Sequence, residues 1–127
     1  SLVQNYGVIS GNLIDGSNNI YRVTNMIEKP NSSDLIKLTN NKDDPSKSNF
    51  MAIIGRYILT PDIFDLLKNI KPGKNGEIQI TDALLKQAIN GNVVAYKFKG
   101  KRFDCGSIEG YVKATNHFAK KIGINNI

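Results

Sequence analysis

Residues 50–61 read Phe50-Met51-Ala52-Ile53-Ile54-Gly55-Arg56-Tyr57-Ile58-Leu59-Thr60-Pro61. The apolar run from Met51 to Ile54, resumed at Tyr57 to Leu59, suits a strand over 50–59 buried on both faces. Glycine inside a strand costs stability, so Gly55 points to a ligand or another backbone passing close. Thr60 and Pro61 then open a helix, the threonine as N-cap and the proline at the first helical position. Leu59 and Phe64 are spaced as a hydrophobic staple, while Ile63, Leu66, Leu67 and Ile70 share one face. Pro72-Gly73 ends it. A buried strand feeding an amphipathic helix makes the class α/β, and the rest of the chain repeats the alternation.

Upstream, Tyr6–Ser10 reads as a short strand, with turn chemistry at Gly11-Asn12 and again over Asp15–Asn19. Ile20–Ile27 alternates imperfectly and reads as a second strand. It finishes at Glu28-Lys29-Pro30, where the proline removes a donor and holds Lys29 extended. The polar stretch from Asn31 to Ser48 reads as a mobile loop with a helical turn near Leu35–Leu38. Its length marks a lid, an insertion or a disordered segment. Downstream, a helix from about Thr81 turns Leu84, Leu85, Ala88 and Ile89 inward and stops at Gly91. Asn92–Phe98 reads as a strand. Ser107 caps a last helix with Tyr111, Ala114, Thr115, Phe118 and Ile122 on one face.

The chain has 127 residues, 40% hydrophobic and 22% charged, a globular balance sufficient for one core. One cysteine excludes an internal disulfide and a cysteine zinc cluster. Its apolar runs fall well short of the ~18 residues of a membrane span. With no basic-then-apolar signal segment, a cytoplasmic, reducing setting is expected. The opening Leu2-Val3-Gln4-Asn5-Tyr6 reads as a cut.

The net charge is +6, from 17 Lys and Arg against 11 Asp and Glu. All of it lies beyond Asn49, and the densest stretch is Lys97-Phe98-Lys99-Gly100-Lys101-Arg102. Such a stretch is either a solvated strand edge or a patch for nucleic acid, acidic membrane or phosphorylated small molecules. No helix offers a basic, base-reading face, and no aromatic platform alternates with the basic residues. Neither a nucleic-acid nor a membrane partner is expected.

Few residues can carry chemistry. Asp104, in Phe103-Asp104-Cys105-Gly106-Ser107, stands between a strand and a helix, where a carboxylate either binds a hard divalent cation or shapes the turn. Cys105 has no histidine near it in sequence and reads as a packed, inert thiol. Glu28 and Lys29 are neighbours on an extended backbone and point apart. If the backbone twists there, one can take a sugar hydroxyl and the other a phosphate; otherwise they are solvated charges before a turn. Gly7, like Gly55, can let a backbone N–H approach a ligand. No Gly-rich phosphate loop occurs in the sequence.

Taken in order, Tyr6-Gly7-Val8, Glu28-Lys29-Pro30, Ser48-Asn49 with Ile54-Gly55-Arg56-Tyr57, Glu77-Ile78-Gln79-Ile80-Thr81-Asp82 and Phe103-Asp104-Cys105-Gly106 resemble one family. They resemble the C-terminal part of the bacterial UTP–glucose-1-phosphate uridylyltransferases, which make UDP-glucose and pyrophosphate from UTP and glucose 1-phosphate. The resemblance covers nearly the whole chain except residues 31–47, which look longer than the family's connection.

It implies a Rossmann-like nucleotide-diphospho-sugar transferase fold with a mixed sheet flanked by helices. Residues 1–127 would be its sugar-phosphate-binding part, without the N-terminal nucleotide-binding part. It further implies that Asp104 is one of two aspartates holding catalytic Mg2+ and that Lys29 contacts the phosphate of the sugar phosphate. Glu28 would bind glucose hydroxyls, the Gly7 N–H would meet the sugar, and Ile54 and Gly55 would line the same pocket. Glucose 1-phosphate and UTP are the expected substrates, and the chain alone is expected to be inactive and to self-associate through a bare strand edge or a swapped element. A non-catalytic sugar-phosphate-binding module is the alternative.

Overall fold

The computed structural model describes residues 5–38, 50–73 and 76–124. They contain β1 (Val8–Leu13), β2 (Ile20–Ile27), α1 (Ser32–Leu38), β3 (Met51–Ala52), α2 (Ile63–Lys68), α3 (Ile80–Ile89), β4 (Val94–Tyr96) and α4 (Ile108–Lys121). The chain divides into two compact units, residues 1–97 and residues 98–127.

In the first unit the strands form one sheet in the order β3-β1-β2-β4. The class is α/β as expected. Every pairing among the described residues is antiparallel, where the resemblance implied a mixed sheet for the fold of which they are part. The reason is local: β1 and β2 form a hairpin, and β3 and β4 add to its two outer edges, each running against its neighbour. Ile9, Val23, Met26, Ile63, Ala83, Leu84 and Ala88 make the core, so α2 and α3 pack on the hairpin. Ile63 and Val23 are almost fully buried, each contributing roughly 1.5–3 kcal/mol by leaving water.

The hairpin ladder contains an irregularity between Ser10 and Gly11. Ser10 pairs with Asn25 but Gly11 pairs with Val23, so Thr24 is an extra residue in β2. This bulge keeps Gly11-Asn12 inside β1 rather than in a turn. It also accounts for the imperfect alternation of β2, since Val23 and Met26, three apart, are both buried. At Gly11 a side chain would collide with the Arg22 carbonyl, so glycine is required there.

Several elements depart from the sequence reading. The strand expected over 50–59 is reduced to Met51–Ala52, and Ile58 is fully exposed. Among the described residues, the run that looked buried on both faces pairs only with the β1 edge. The helix at Thr60-Pro61 begins two residues late, because its first turn closes through Ile63 N–H to the Thr60 carbonyl. Asp62 becomes the cap residue without a side-chain capping bond, and Thr60 Oγ1 and Asp62 Oδ2 both accept from the buried Gln87 amide. Leu59 and Phe64 are both exposed. Ile89, expected inward on α3, is 72% exposed.

The first half of the expected loop is helical. Asn31 Oδ1 accepts from Asp34 N–H at 2.9 Å and from the Ser33 hydroxyl at 2.6 Å, while Asp34 Oδ2 accepts from Asn31 N–H. This reciprocal cap opens α1, and Leu38 is buried at its end. The remainder of that loop, with Ser48-Asn49, lies outside the described residues.

The strand expected over 92–98 is shortened to β4, and no strand occurs among residues 97–106. Ser107 Oγ accepts from Gly110 N–H at 3.1 Å and caps α4 as expected. Of the five residues expected on its inner face, only Ala114 is buried, while Tyr111, Phe118 and Ile122 are exposed. A unit of about thirty residues is too small to cover a whole helix face.

Candidate functional site

The site is built where the hairpin ladder runs out. Past its last pair, Val8 with Ile27, the ladder continues in register: Lys29 N–H donates to the Tyr6 carbonyl at 3.1 Å. Gly7 therefore stands opposite Glu28. On the other side, Ile53 N–H donates to the Gly7 carbonyl at 2.8 Å, continuing the β1–β3 pairing. Gly7 thus lies between the ends of two neighbouring strands.

That position has no room for a side chain. A Cβ on Gly7 would sit 2.8 Å from Glu28 Oε2, 2.9 Å from Ile53 Cδ1 and 3.1 Å from Thr81 Cγ2. The close approach expected at Gly7 is therefore present, and a carboxylate is what approaches. Glu28 is half-buried, and Thr81 is buried with no hydrogen-bond partner for its hydroxyl. Tyr57 belongs to the same neighbourhood. Burial, and secondarily the negative charge of Glu28, push its phenol pKa above the ordinary 10.0.

Lys29 is not extended. Its φ is 45°, and among the described residues it is the only non-glycine with a positive φ. A lysine gains nothing locally from the left-handed region, and the following proline disfavours compact conformations as well. Backbone strain of this kind gathers where a side chain must be aimed. The twist between Glu28 and Lys29 is the condition under which the two charges serve different parts of one ligand.

Gly55 behaves differently from Gly7. Its φ is 71°, and among the described residues none but its chain neighbours comes within 4 Å of where its Cβ would be. Conformation, rather than the approach of another backbone, requires glycine there. Ile54, just before it, is half-buried.

Asp104 belongs to the second unit. Its Oδ1 accepts from Gly106 N–H at 3.1 Å, and its Oδ2 pairs with Arg102 Nη2 at 3.2 Å. Gly110 backs directly onto the Asp104 carbonyl, where any side chain would collide. The turn expected from a shaping aspartate is thus present, locked by Gly106 and Gly110. Cys105 is exposed, not packed as the sequence reading expected. Of the basic stretch, Lys101 lies over the Phe103 ring, 5.3 Å from its centroid, and Phe103 stacks near His117 at 5.0 Å. Lys101, Arg102, Lys113 and Lys120 line an open cleft on α4, but Arg102 is paired with Asp104 and Lys113 with Glu109.

Among the described residues no three His, Cys, Asp or Glu side chains come together to hold a metal ion. Asp104 is a carboxylate of the type a divalent cation takes, but its two oxygens are engaged by Gly106 N–H and Arg102, so a cation there would have to displace the guanidinium. Gly7, Glu28 and Lys29 are brought together, with Ile54 and Gly55 following directly after Ile53. Thr81 and Tyr57 were not singled out from the sequence. Their signal was present, since both stand in motifs that carried the family resemblance.

The nucleotidyl transferase family pattern matches residues 1–121, and the chain belongs to that family. Over 111 residues it is 60% identical to UTP–glucose-1-phosphate uridylyltransferase of Pseudomonas aeruginosa, covering 87% of this chain and 35% of that protein. Its namesake from Staphylococcus epidermidis is 40% identical over 116 residues, 91% of this chain and 35% of that protein. A crystal structure of UDP-glucose pyrophosphorylase complexed with UDP-glucose superposes with a TM-score of 0.72 at 51% identity, over 94% of this chain and 40% of that one. A UTP-bound UGPase from Acinetobacter baumannii gives 0.66 at 30% identity, over 98% and 38%. The chain therefore spans little more than a third of the length of these curated relatives.

Proposed function

We propose that this chain supplies the sugar-phosphate-binding part of a UTP–glucose-1-phosphate uridylyltransferase. The observation that carries the reading is the cradle at Gly7: a carboxylate opposite a side-chain-free backbone, next to a lysine held in the left-handed region. Glu28 accepts hydrogen bonds from glucose hydroxyls. The Gly7 backbone offers the close approach that a sugar ring needs, and Ile54 and Gly55 line the same pocket. Lys29 meets the phosphate as a mobile point charge and holds the attacking oxygen in position.

In nucleotidyl transfer the sugar phosphate oxygen attacks the α-phosphorus of UTP in line, and pyrophosphate leaves. Positioning and electrostatics do most of this work, so no covalent protein nucleophile is needed. Asp104 is the residue that would hold Mg2+, which when bound neutralises charge on phosphoryl oxygens. The sequence has no Gly-rich phosphate loop, so the 127 residues alone bind sugar phosphate without turnover. A cytoplasmic, homo-oligomeric enzyme acting on small molecules, not on nucleic acid or membrane, completes the reading. In its support, none of the described helices is long and apolar enough to cross a membrane. No observation favours the non-catalytic module over this.

The test is glucose 1-phosphate binding by calorimetry together with an assay for UDP-glucose. Saturable binding that Lys29→Gln and Glu28→Gln each weaken, without UDP-glucose formation, is expected. Binding unaffected by both substitutions would sink the assignment.

A further inference from the structure

Thr81, the second residue of α3, is 3% exposed. Its Oγ1 is the one buried side-chain nitrogen or oxygen, among the described residues, without a hydrogen-bond partner. Buried hydroxyls are nearly always paired, because an unpaired one loses its water contacts and gains nothing in return. Packing alone gives no reason for threonine, since valine has the same shape without the penalty. The location supplies a reason. Thr81 Cγ2 and Glu28 Oε2 both press on the point where a Gly7 side chain would be, 3.1 and 2.8 Å from it.

Threonine carries its methyl and hydroxyl on the same carbon. A change of one staggered χ1 well carries the hydroxyl to the methyl's place, while the methyl moves to that of the Cβ hydrogen. It would bring the oxygen to the spot the methyl now occupies, beside the Glu28 carboxylate. A hydroxyl both donates and accepts, whereas ionised Glu28 only accepts. The two together can hold a sugar hydroxyl from both sides.

We propose that Thr81 is a ligand-binding residue whose hydroxyl, unpaired in the empty chain, hydrogen-bonds a sugar hydroxyl beside Glu28 when the sugar phosphate binds. The inference rests on the sugar-phosphate reading of the Gly7 cradle and adds a residue to it. Its signature is a trade between stability and binding. Replacing the hydroxyl by a methyl removes a penalty in the empty state and an interaction in the bound state.

The experiment compares the parent chain with Thr81→Val and Thr81→Ser, by thermal melting without ligand and by calorimetry with glucose 1-phosphate. Thr81→Val is expected to melt higher than the parent and to bind about tenfold more weakly. Thr81→Ser is expected to regain most of the affinity. A lower melting temperature for Thr81→Val would mean the hydroxyl is already bonded and would overturn the proposal. So would parental affinity in Thr81→Val, or failure of the serine to restore binding, with the sugar-phosphate reading left standing. No binding by the parent chain would overturn both.

Discussion

Arg102 and Asp104 form an ion pair across one intervening residue, Nη2 to Oδ2 at 3.2 Å, while the other carboxylate oxygen is held by Gly106 N–H. A divalent cation arriving at Asp104 has to compete with that guanidinium. Arg102→Gln should therefore strengthen Mn2+ binding, seen as sharper paramagnetic broadening of the Asp104–Gly106 amide signals. Asp104→Asn should abolish the broadening. Equal broadening in the parent and Arg102→Gln would show that the pair does not guard the carboxylate.

Lys29 pays for its position with backbone strain. Lys29→Gly should stabilise the chain by on the order of 1 kcal/mol, because glycine adopts a φ of 45° freely. The same change should remove glucose 1-phosphate binding. Chemical denaturation and calorimetry on one variant read both effects, and a loss of stability would contradict the strain.

Tyr57 makes alkaline stability report on Glu28. The folded chain holds the phenol proton more tightly than the unfolded chain, through burial first and the Glu28 charge second. The associated stabilisation is complete below the ordinary value of 10.0 and is lost as pH rises through the folded value. Glu28→Gln should lower the midpoint of the tyrosinate absorbance titration, and Tyr57→Phe should remove this component of the alkaline loss.

Gly7→Ala tests the cradle by volume. The atoms its Cβ would meet are ends of side chains, so the fold can yield, but Glu28 must move. Sugar-phosphate affinity should fall several-fold more than stability does. Equal losses would mean the glycine serves packing alone.

Self-association should appear in sedimentation at high concentration. The sheet's outer strands are only two and three residues long, and Ile58, Phe64 and Ile89 are exposed. A monomer at every concentration would count against an oligomeric enzyme.

The presence of two strands ahead of α1, the position of α3 and the cap of α4 were legible because each rests on local chemistry: turn residues, a 3.6-residue stripe, a serine cap. The strand over 50–59 was not, because apolar content says nothing about whether a second strand is available to pair. Likewise Ile89 and the outer face of α4 carry apolar residues with nothing described over them. The conformation of Lys29 runs against the rule for residues before proline, and no local signal in the sequence marks it. Thr81 stood in a motif that carried the resemblance, but threonine in a first turn is ordinary, and its missing partner is what singles it out.

The bulge at Thr24 has a further consequence. It works as a phase shifter in the hairpin. On the turn side, Gly11 faces Val23 and Leu13 faces Tyr21; on the far side, Val8 faces Ile27, one residue out of step. Had the turn-side phase run on unbroken, Gly7 would face Ile27 and Glu28 would face Tyr6. The two ends of the hairpin are consequently free to vary under different rules. Residues can be gained or lost in the Asp15–Asn19 turn without disturbing the cradle, whereas one residue inserted between Asn25 and Ile27 would bring Ile27 opposite Gly7 in place of the carboxylate.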